Sequence, residues 1–425
     1  MSYGSMVSNE SDYEYNSNYY DNSNTNESNR NKAAYVAKGG FGCVVKPALD
    51  NVVGGVKKSF PGNVSKLFKT ENSYNEALAF SNKAYNIMGK NEGQKLSRYE
   101  KKFKGSNLRR ATRRGCKILG DKPLYVVRMK DLGKDIAHIE DYYKELREVP
   151  FLTMMEQIVK LFRQVHLAYT AGYVHGDIRE TNIMANPTTG VLTLIDFDWF
   201  MPKGDFFNEY YDALGFYSNP PESLVVYELE EFKISKSEKN TKLEDYRNYA
   251  NKFRTHPITR EQMRIAHEKN MHYLLVQKKI QYKPVDSQFF LLCNEMFEGF
   301  DSYGLAMTMN YLFMYVYPGD LKTRITNRGV PYTAAEIKII EDVVANLKGL
   351  FERMIHLEVS KRITIEIGYS AVEELLEEYK TKIATVPGYT TPPKKVKPVT
   401  PPIPVAPPSS PVSAPKNRRY TRRRR

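Results

Sequence analysis

Hydrophobic positions recur along the chain at two spacings, and each spacing predicts an element. In Asn-Val-Ser-Lys-Leu-Phe, Val64, Lys66 and Phe68 fall on every second position, which predicts a strand with those side chains on one face. Residues 124–129 and 116–119 predict a hairpin turned by Gly120-Asp121-Lys122-Pro123. Ile158, Leu161, Phe162, Val165 and Tyr169 recur at helical spacing, so 151–171 is predicted as a helix that Gly172 ends. Further helices are predicted over 73–88 and 371–380. The most apolar run, 304–316, is too short to cross a bilayer and contains Asn310, so it is predicted to be a buried helix.

The two ends show neither spacing. Residues 1–31 are rich in Asn, Ser and Tyr and poor in aliphatic side chains, and are expected to be disordered, with order beginning near Ala33. Eleven of the 23 prolines fall in 386–425, which predicts a disordered, polyproline-like tail ending in Arg-Arg-Tyr-Thr-Arg-Arg-Arg-Arg. That tail carries ten Lys or Arg and no acid, within a chain of net charge +14. A second basic stretch, 89–117, holds eleven basic residues and two acids. Both stretches suit polyanion or nucleic-acid contact, and Pro401 to Pro404 offers a ligand for a proline-motif-binding partner. Cys43, Cys116 and Cys293 are far apart in sequence, which argues against a disulfide framework and fits a reducing, cytoplasmic setting. The N-terminus has no apolar signal core, so secretion is not expected.

Chemistry concentrates in 173–199. His175-Gly176-Asp177 is followed five residues later by Asn182, and a short apolar run then ends in Asp196-Phe197-Asp198. Phosphoryl transfer from ATP needs a carboxylate to orient the attacking hydroxyl and oxygen ligands for magnesium. Asp177, Asn182 and Asp196 supply these roles at protein-kinase spacing. Upstream, Gly39, Gly40 and Gly42 sit between two β-prone runs, where a hairpin backbone could close over phosphates. In the kinase pattern Ala37 stands at the first glycine position, and Val44 would cover the adenine. The phosphate-gripping lysine is Lys66 or Lys57. Lys66 is favoured because apolar residues flank it on both sides. Glu76 in the following helix is its expected ion-pair partner, with Glu71 the weaker choice. Met129-Lys130-Asp131-Leu132-Gly133 would form the hinge, with backbone groups around Met129 meeting the adenine edge.

Three more features complete a resemblance. Pro220-Pro221-Glu222 resembles the Ala-Pro-Glu signature that closes an activation segment. Asp301-Ser302-Tyr303-Gly304-Leu305-Ala306 resembles the start of a central buried helix, and Arg362 resembles the arginine that pairs with the signature glutamate. Over 33–380 the chain resembles the eukaryotic-type serine/threonine protein kinase family, and its Gly-Gly-Phe-Gly-Cys-Val-Val-Lys wording is similar to kinases encoded by giant DNA viruses. The resemblance implies an α+β, two-lobed fold, with a small β-sheet lobe (32–133) on a mostly helical large lobe (134–385). It implies ATP and Mg2+ (or Mn2+) as cofactors, protein substrates, and a host-cytoplasmic or virion location. It also implies Arg179 as a second catalytic residue, assisting the γ-phosphate.

Four positions depart from the pattern. Gly176 replaces an arginine that reads activation-loop phosphate. Arg179 replaces a lysine. Asp198 replaces the glycine of Asp-Phe-Gly. Residues 227–281 form a charged, helix-prone insert, expected to dock on the large lobe or on a partner. The rival readings are a small-molecule kinase of the aminoglycoside or choline kinase type, which His-Gly-Asp resembles, and a pseudokinase scaffold.

Overall fold

Alternation in Gly-Cys-Val-Val-Lys and Asn-Val-Ser-Lys-Leu-Phe builds the middle of an antiparallel sheet. Its strands are β1 (Ala34–Lys38), β2 (Gly42–Lys46), β5 (Asn63–Phe68), β7 (Tyr125–Lys130) and β6 (Ser97–Arg98), in the order β1-β2-β5-β7-β6. Lys66 lies opposite Val44 on one side and Val127 on the other. The computed structural model describes residues 34–38, 42–46, 48, 51–53, 56–58, 62–68, 70–90, 97–98, 125–203, 205, 220–223, 225, 236–254, 256–277, 287–317 and 332–387. Gly39, Gly40, residues 1–31, the 116–119 arm of the predicted hairpin and the tail from 388 lie outside them, as does most of 89–117.

The interval 50–62 lies between β2 and β5. It contains a two-stranded ribbon of β3 (Asn51–Val53) and β4 (Val56–Lys58). Lys57 is on that ribbon, away from the five-stranded sheet. Helix α1 (Glu71–Met88) follows β5. Thr70 caps it by accepting from the Ser73 amide at 3.2 Å, and it ends at Gly89, whose φ of 81° favours glycine. Its Ala77 and Leu78 pack with Phe68 and Val127 from the sheet.

The rest is mainly helical. Helices α2 (Tyr143–Arg147), α3 (Phe151–Thr170), α6 (Ser287–Val316), α7 (Ala334–Met354) and α8 (Ile365–Ala384) share the main hydrophobic core. The predicted stripe on α3 faces the core: Ile158, Leu161, Phe162 and Val165 are buried, and Tyr169 is half-buried against them. Phe162 stacks on Phe351 of α7 at 5.9 Å, and Phe351 meets Phe313 of α6 at 5.7 Å. Short strands hold the loops above this core. β8 (Lys134–Asp135), β10 (Ile183–Ala185) and β11 (Leu192–Leu194) form one small sheet, and β9 (Tyr173–Val174) pairs with β12 (Met201–Pro202). The architecture is mixed α+β, mostly helical with small antiparallel sheets. Among the described residues no helix is long and apolar enough to cross a membrane.

The 227–281 interval supplies α4 (Lys236–Asn251) and α5 (Arg260–His272). Two expectations need correction. Cys43 is disulfide-bonded. Separation along a chain does not measure distance in a fold, and the side chains of both candidate partners lie outside the described residues. The packed body also reaches Val386, one residue beyond the expected boundary at 385. Val386 is buried in the main core, and its amide bonds the Ile383 carbonyl at 3.2 Å.

Candidate active site

The loop after β9 is fixed from below by a buried carboxylate. Asp301, in α6, accepts the His175 amide at 2.6 Å and the Gly176 amide at 3.0 Å. Gly176 has φ 77°, a conformation that favours glycine. Helix α6 also comes very close to this loop: a Cβ on Gly304 would overlap the Ile178 carbonyl oxygen. Burial pushes the Asp301 carboxyl up to about 6, against the two amide bonds that favour its ionised form.

His175 joins this loop to the next acid. Its Nε2 lies 3.0 Å from the Ile195 carbonyl, and its Nδ1 accepts the Asp177 amide at 3.3 Å. That pattern assigns a neutral ring protonated on Nε2. Burial holds its pKa down to about 4, in keeping with the neutral form. The next residue, Asp196, has φ 63°, the only positive φ among described non-glycine residues. Side chains rarely adopt that conformation, so the turn holds a local strain. Phe197 and Phe200 anchor it, with Phe197 edge-on to His175 at 5.0 Å.

Around this frame the predicted polar residues gather. Asn182 Nδ2 donates to the Asp177 carboxylate Oδ2 and to the Asp177 carbonyl, both at 2.8 Å. Arg179 Nε lies 3.2 Å from Asp177 Oδ1, a charge contact rather than an aligned hydrogen bond. Burial pushes the Asp177 carboxyl up to about 6, with Arg179 working against that rise. Lys66 reaches across from β5 and donates to both Asp196 Oδ1 and Asp198 Oδ2, each at 2.7 Å. Burial would depress the Lys66 ammonium, but the two carboxylates outweigh it and raise its pKa. Burial also opposes ionisation of Asp196, yet Lys66 holds that carboxyl below its usual range. Asp198, on the same ammonium, is pushed by burial up to about 6.

Two expected partners are elsewhere. Glu76 is exposed and accepts from Asn72 at 2.7 Å, one turn away on its own helix, and it does not meet Lys66. Glu71 is also exposed, and accepts from the Tyr125 hydroxyl at 3.3 Å. Helical spacing alone could not say which face of α1 turns inward. Ala37 and Val44 pair across β1 and β2, and Gly42 opposes Phe68. Met129 sits opposite Val64 in β7. Beyond Met129, Asp131 takes an ion pair from Lys46 at 2.6 Å.

The expected Glu222–Arg362 pair is present and buried. Arg362 Nη2 donates to Glu222 Oε2 at 2.8 Å and Nη1 bonds Oε1, while Nε donates to the His356 carbonyl at 3.1 Å. Gly299 makes room for it, since a Cβ there would lie 2.8 Å from Arg362 Nη1. One contact had no signal in the sequence: the Tyr249 hydroxyl of α4 donates to Glu180 Oε2 at 2.8 Å, between Asp177 and Asn182.

A magnesium site of the phosphate-assisted kind needs only one or two protein oxygens. Asn182 makes its side-chain bonds through Nδ2, so its Oδ1 and the Asp196 carboxylate are the oxygens that fit that role. Among the described residues no group of three His, Cys, Asp or Glu forms a resident metal cluster. Compared with known proteins, the chain matches no family model and no curated sequence.

Proposed function

We propose that this chain is an ATP- and Mg2+-dependent protein kinase that phosphorylates serine or threonine hydroxyls. The observation that carries this reading is the convergence of four residues from three separate segments. Lys66 of β5 lies on Asp196, while Asn182 holds Asp177 in the adjoining loop. In this reading the five-stranded sheet with α1 is the small lobe, and the helices around α3 and α6 are the large lobe. ATP would lie between them. Bound magnesium would neutralise phosphate charge, held by Asp196 and Asn182.

The chain's own residues then have separable tasks. Asp177 accepts a hydrogen bond from the substrate hydroxyl and takes its proton as transfer proceeds. Asn182 and Arg179 keep that carboxylate aimed. Lys66 offers an ammonium to the phosphates, and Asp301 with His175 keeps the loop rigid from beneath. The buried Glu222–Arg362 pair supports a platform for a protein substrate, which favours this reading over a small-molecule kinase.

The test is incubation of the full chain with labelled ATP, Mg2+ and generic protein substrates, followed by phosphoamino-acid analysis. Labelled phosphoserine or phosphothreonine is expected. Asp177→Asn should lower turnover on the order of 10²–10⁴-fold with nucleotide binding kept. Label on a small molecule alone, or Mg2+-dependent ATP binding with no transfer, would overturn the assignment.

A further inference from the structure

We propose that Asp198 is the positioning residue for Lys66, in the place where a carboxylate on α1 was expected. The inference rests on the kinase reading of the same site. Helix α1 contains two acids, Glu71 and Glu76, and both are exposed and engaged elsewhere. The residues it buries are Ala77, Leu78, Ser81, Ala84 and Met88, none of them able to hold an ammonium by charge. Lys66 instead finds its anions two residues apart on one turn. Asp198 Oδ2 and Asp196 Oδ1 both lie 2.7 Å from Nζ.

The two carboxylates are not equivalent. Asp196 has a second task, since it is the carboxylate suited to a cation. A divalent ion drawn to Asp196 competes with Lys66 for its charge. Asp198 is assigned no such task in this reading. Its side chain is 16% exposed against 33% for Asp196, so its hold on the ammonium is the better shielded from water. The turn that presents it is fixed by the packing of Phe197 against His175 and Phe200. A glycine at this position, as in the pattern the chain resembles, could not do this. The aspartate therefore replaces a helix-borne partner by a loop-borne one. Lys66 is then aimed without any inward movement of α1.

The experiment compares full-length wild type with Asp198→Asn, Asp198→Glu, Glu76→Gln, Lys66→Met and the Lys66→Met/Asp198→Asn double variant. Affinity for a fluorescent ATP analogue is measured beside KM for ATP and kcat, at saturating and limiting Mg2+. Glu76→Gln is expected within about twofold of wild type. Asp198→Asn should lower kcat/KM for ATP on the order of ten- to a hundredfold, mainly through KM, with part regained in Asp198→Glu. The double variant should be no worse than Lys66→Met, because both changes remove one interaction. A Glu76→Gln defect as large as that of Lys66→Met, or additive losses in the double variant, would overturn the inference. So would an Asp198→Asn defect that disappears at high Mg2+, which would make Asp198 a metal ligand. If wild type binds nucleotide but transfers nothing, the kinase reading fails while the affinities still decide Asp198. If it binds no nucleotide, both fall.

Discussion

Burial acts on Asp301 and His175 in opposite senses. The folded Asp301 carboxyl titrates at about 6 against an ordinary 3.8, so the folded chain binds that proton more tightly. Its contribution to stability is present in acid and is lost as pH rises through about 6. His175 titrates at about 4 in the fold against an ordinary 6.5. Its contribution is present above 6.5 and is lost as pH falls through about 4. The two effects nearly offset each other in wild type, and removing one exposes the other. Asp301→Asn should therefore be destabilised at all pH values, since one of the two backbone N–H groups would then face the amide's NH2 instead of an acceptor oxygen. The gap to wild type should be wider near pH 4.5 than at pH 7, by about 2 kcal/mol. Denaturant unfolding at the two pH values checks this. A gap of constant size would mean that Asp301 is not a carboxyl with a raised pKa. The motif residues themselves were legible in the sequence because their spacing is tied to chemistry. The lysine's partner was not, because a two-residue offset between Asp196 and Asp198 carries no sign that both carboxylates turn to Lys66.

Strands and helices with a clear period were read closely. Helix α3 covers Phe151–Thr170 against an expected 151–171, and α1 begins two residues earlier than expected. Helix α8 is twice the predicted length, because Ile365 and Ile383 continue the buried face of Val372 and Leu376 beyond both ends of the predicted segment. The choice between Lys66 and Lys57 was also a matter of elements. Apolar flanks mark a strand between two neighbours, and Lys66 has β2 and β7 on its two sides. Lys66→Met should accordingly cost at least roughly tenfold in kcat/KM, while Lys57→Met, on its separate ribbon, stays within about twofold. The reverse ranking would displace β5 from the site. The insert was legible as helical and as a segment that docks, but not by which contacts, since its polar anchors look like any charged surface. Asn270 of α5 is buried, donates to the Leu357 carbonyl at 2.8 Å and accepts the Val359 amide at 2.9 Å. That turn leads directly to Arg362. Asn270→Ala should leave both backbone groups unpaired and lower stability by about 2–4 kcal/mol, read as a shifted denaturation midpoint. An unchanged midpoint would mean that α5 is only laid against the surface.

Taken across the molecule, the described parts of the site lean on one another. Kinases with His-Arg-Asp use that arginine to bind a phosphorylated activation loop and so order the segment. Gly176 cannot contribute such a charge. Here the Gly176 amide is held by Asp301, from a helix deep in the core. The segment leaving Asp196 is held by Phe197 and Phe200, by the pairing of Met201 with Val174, and by the Lys203 amide on the Gly172 carbonyl at 2.9 Å. Its far end is tied by Glu222 to Arg362, and that arginine stands next to the turn gripped by Asn270. Helix α4 adds Tyr249 on Glu180, inside the loop between Asp177 and Asn182. The acids Asp205, Glu209 and Asp212 add negative charge between these ends, so a new phosphate would meet like charges. Activity should therefore not depend on activation-loop phosphorylation. Complete phosphatase treatment, verified by mass spectrometry, should leave the initial rate within about twofold of the untreated protein. A large loss, restored as one Tyr or Ser between 196 and 222 is rephosphorylated, would show that another cation has taken the arginine's place. Lys203 and Lys83 would then be the first to replace, since they lie over the Tyr169 and Tyr173 rings beside β9.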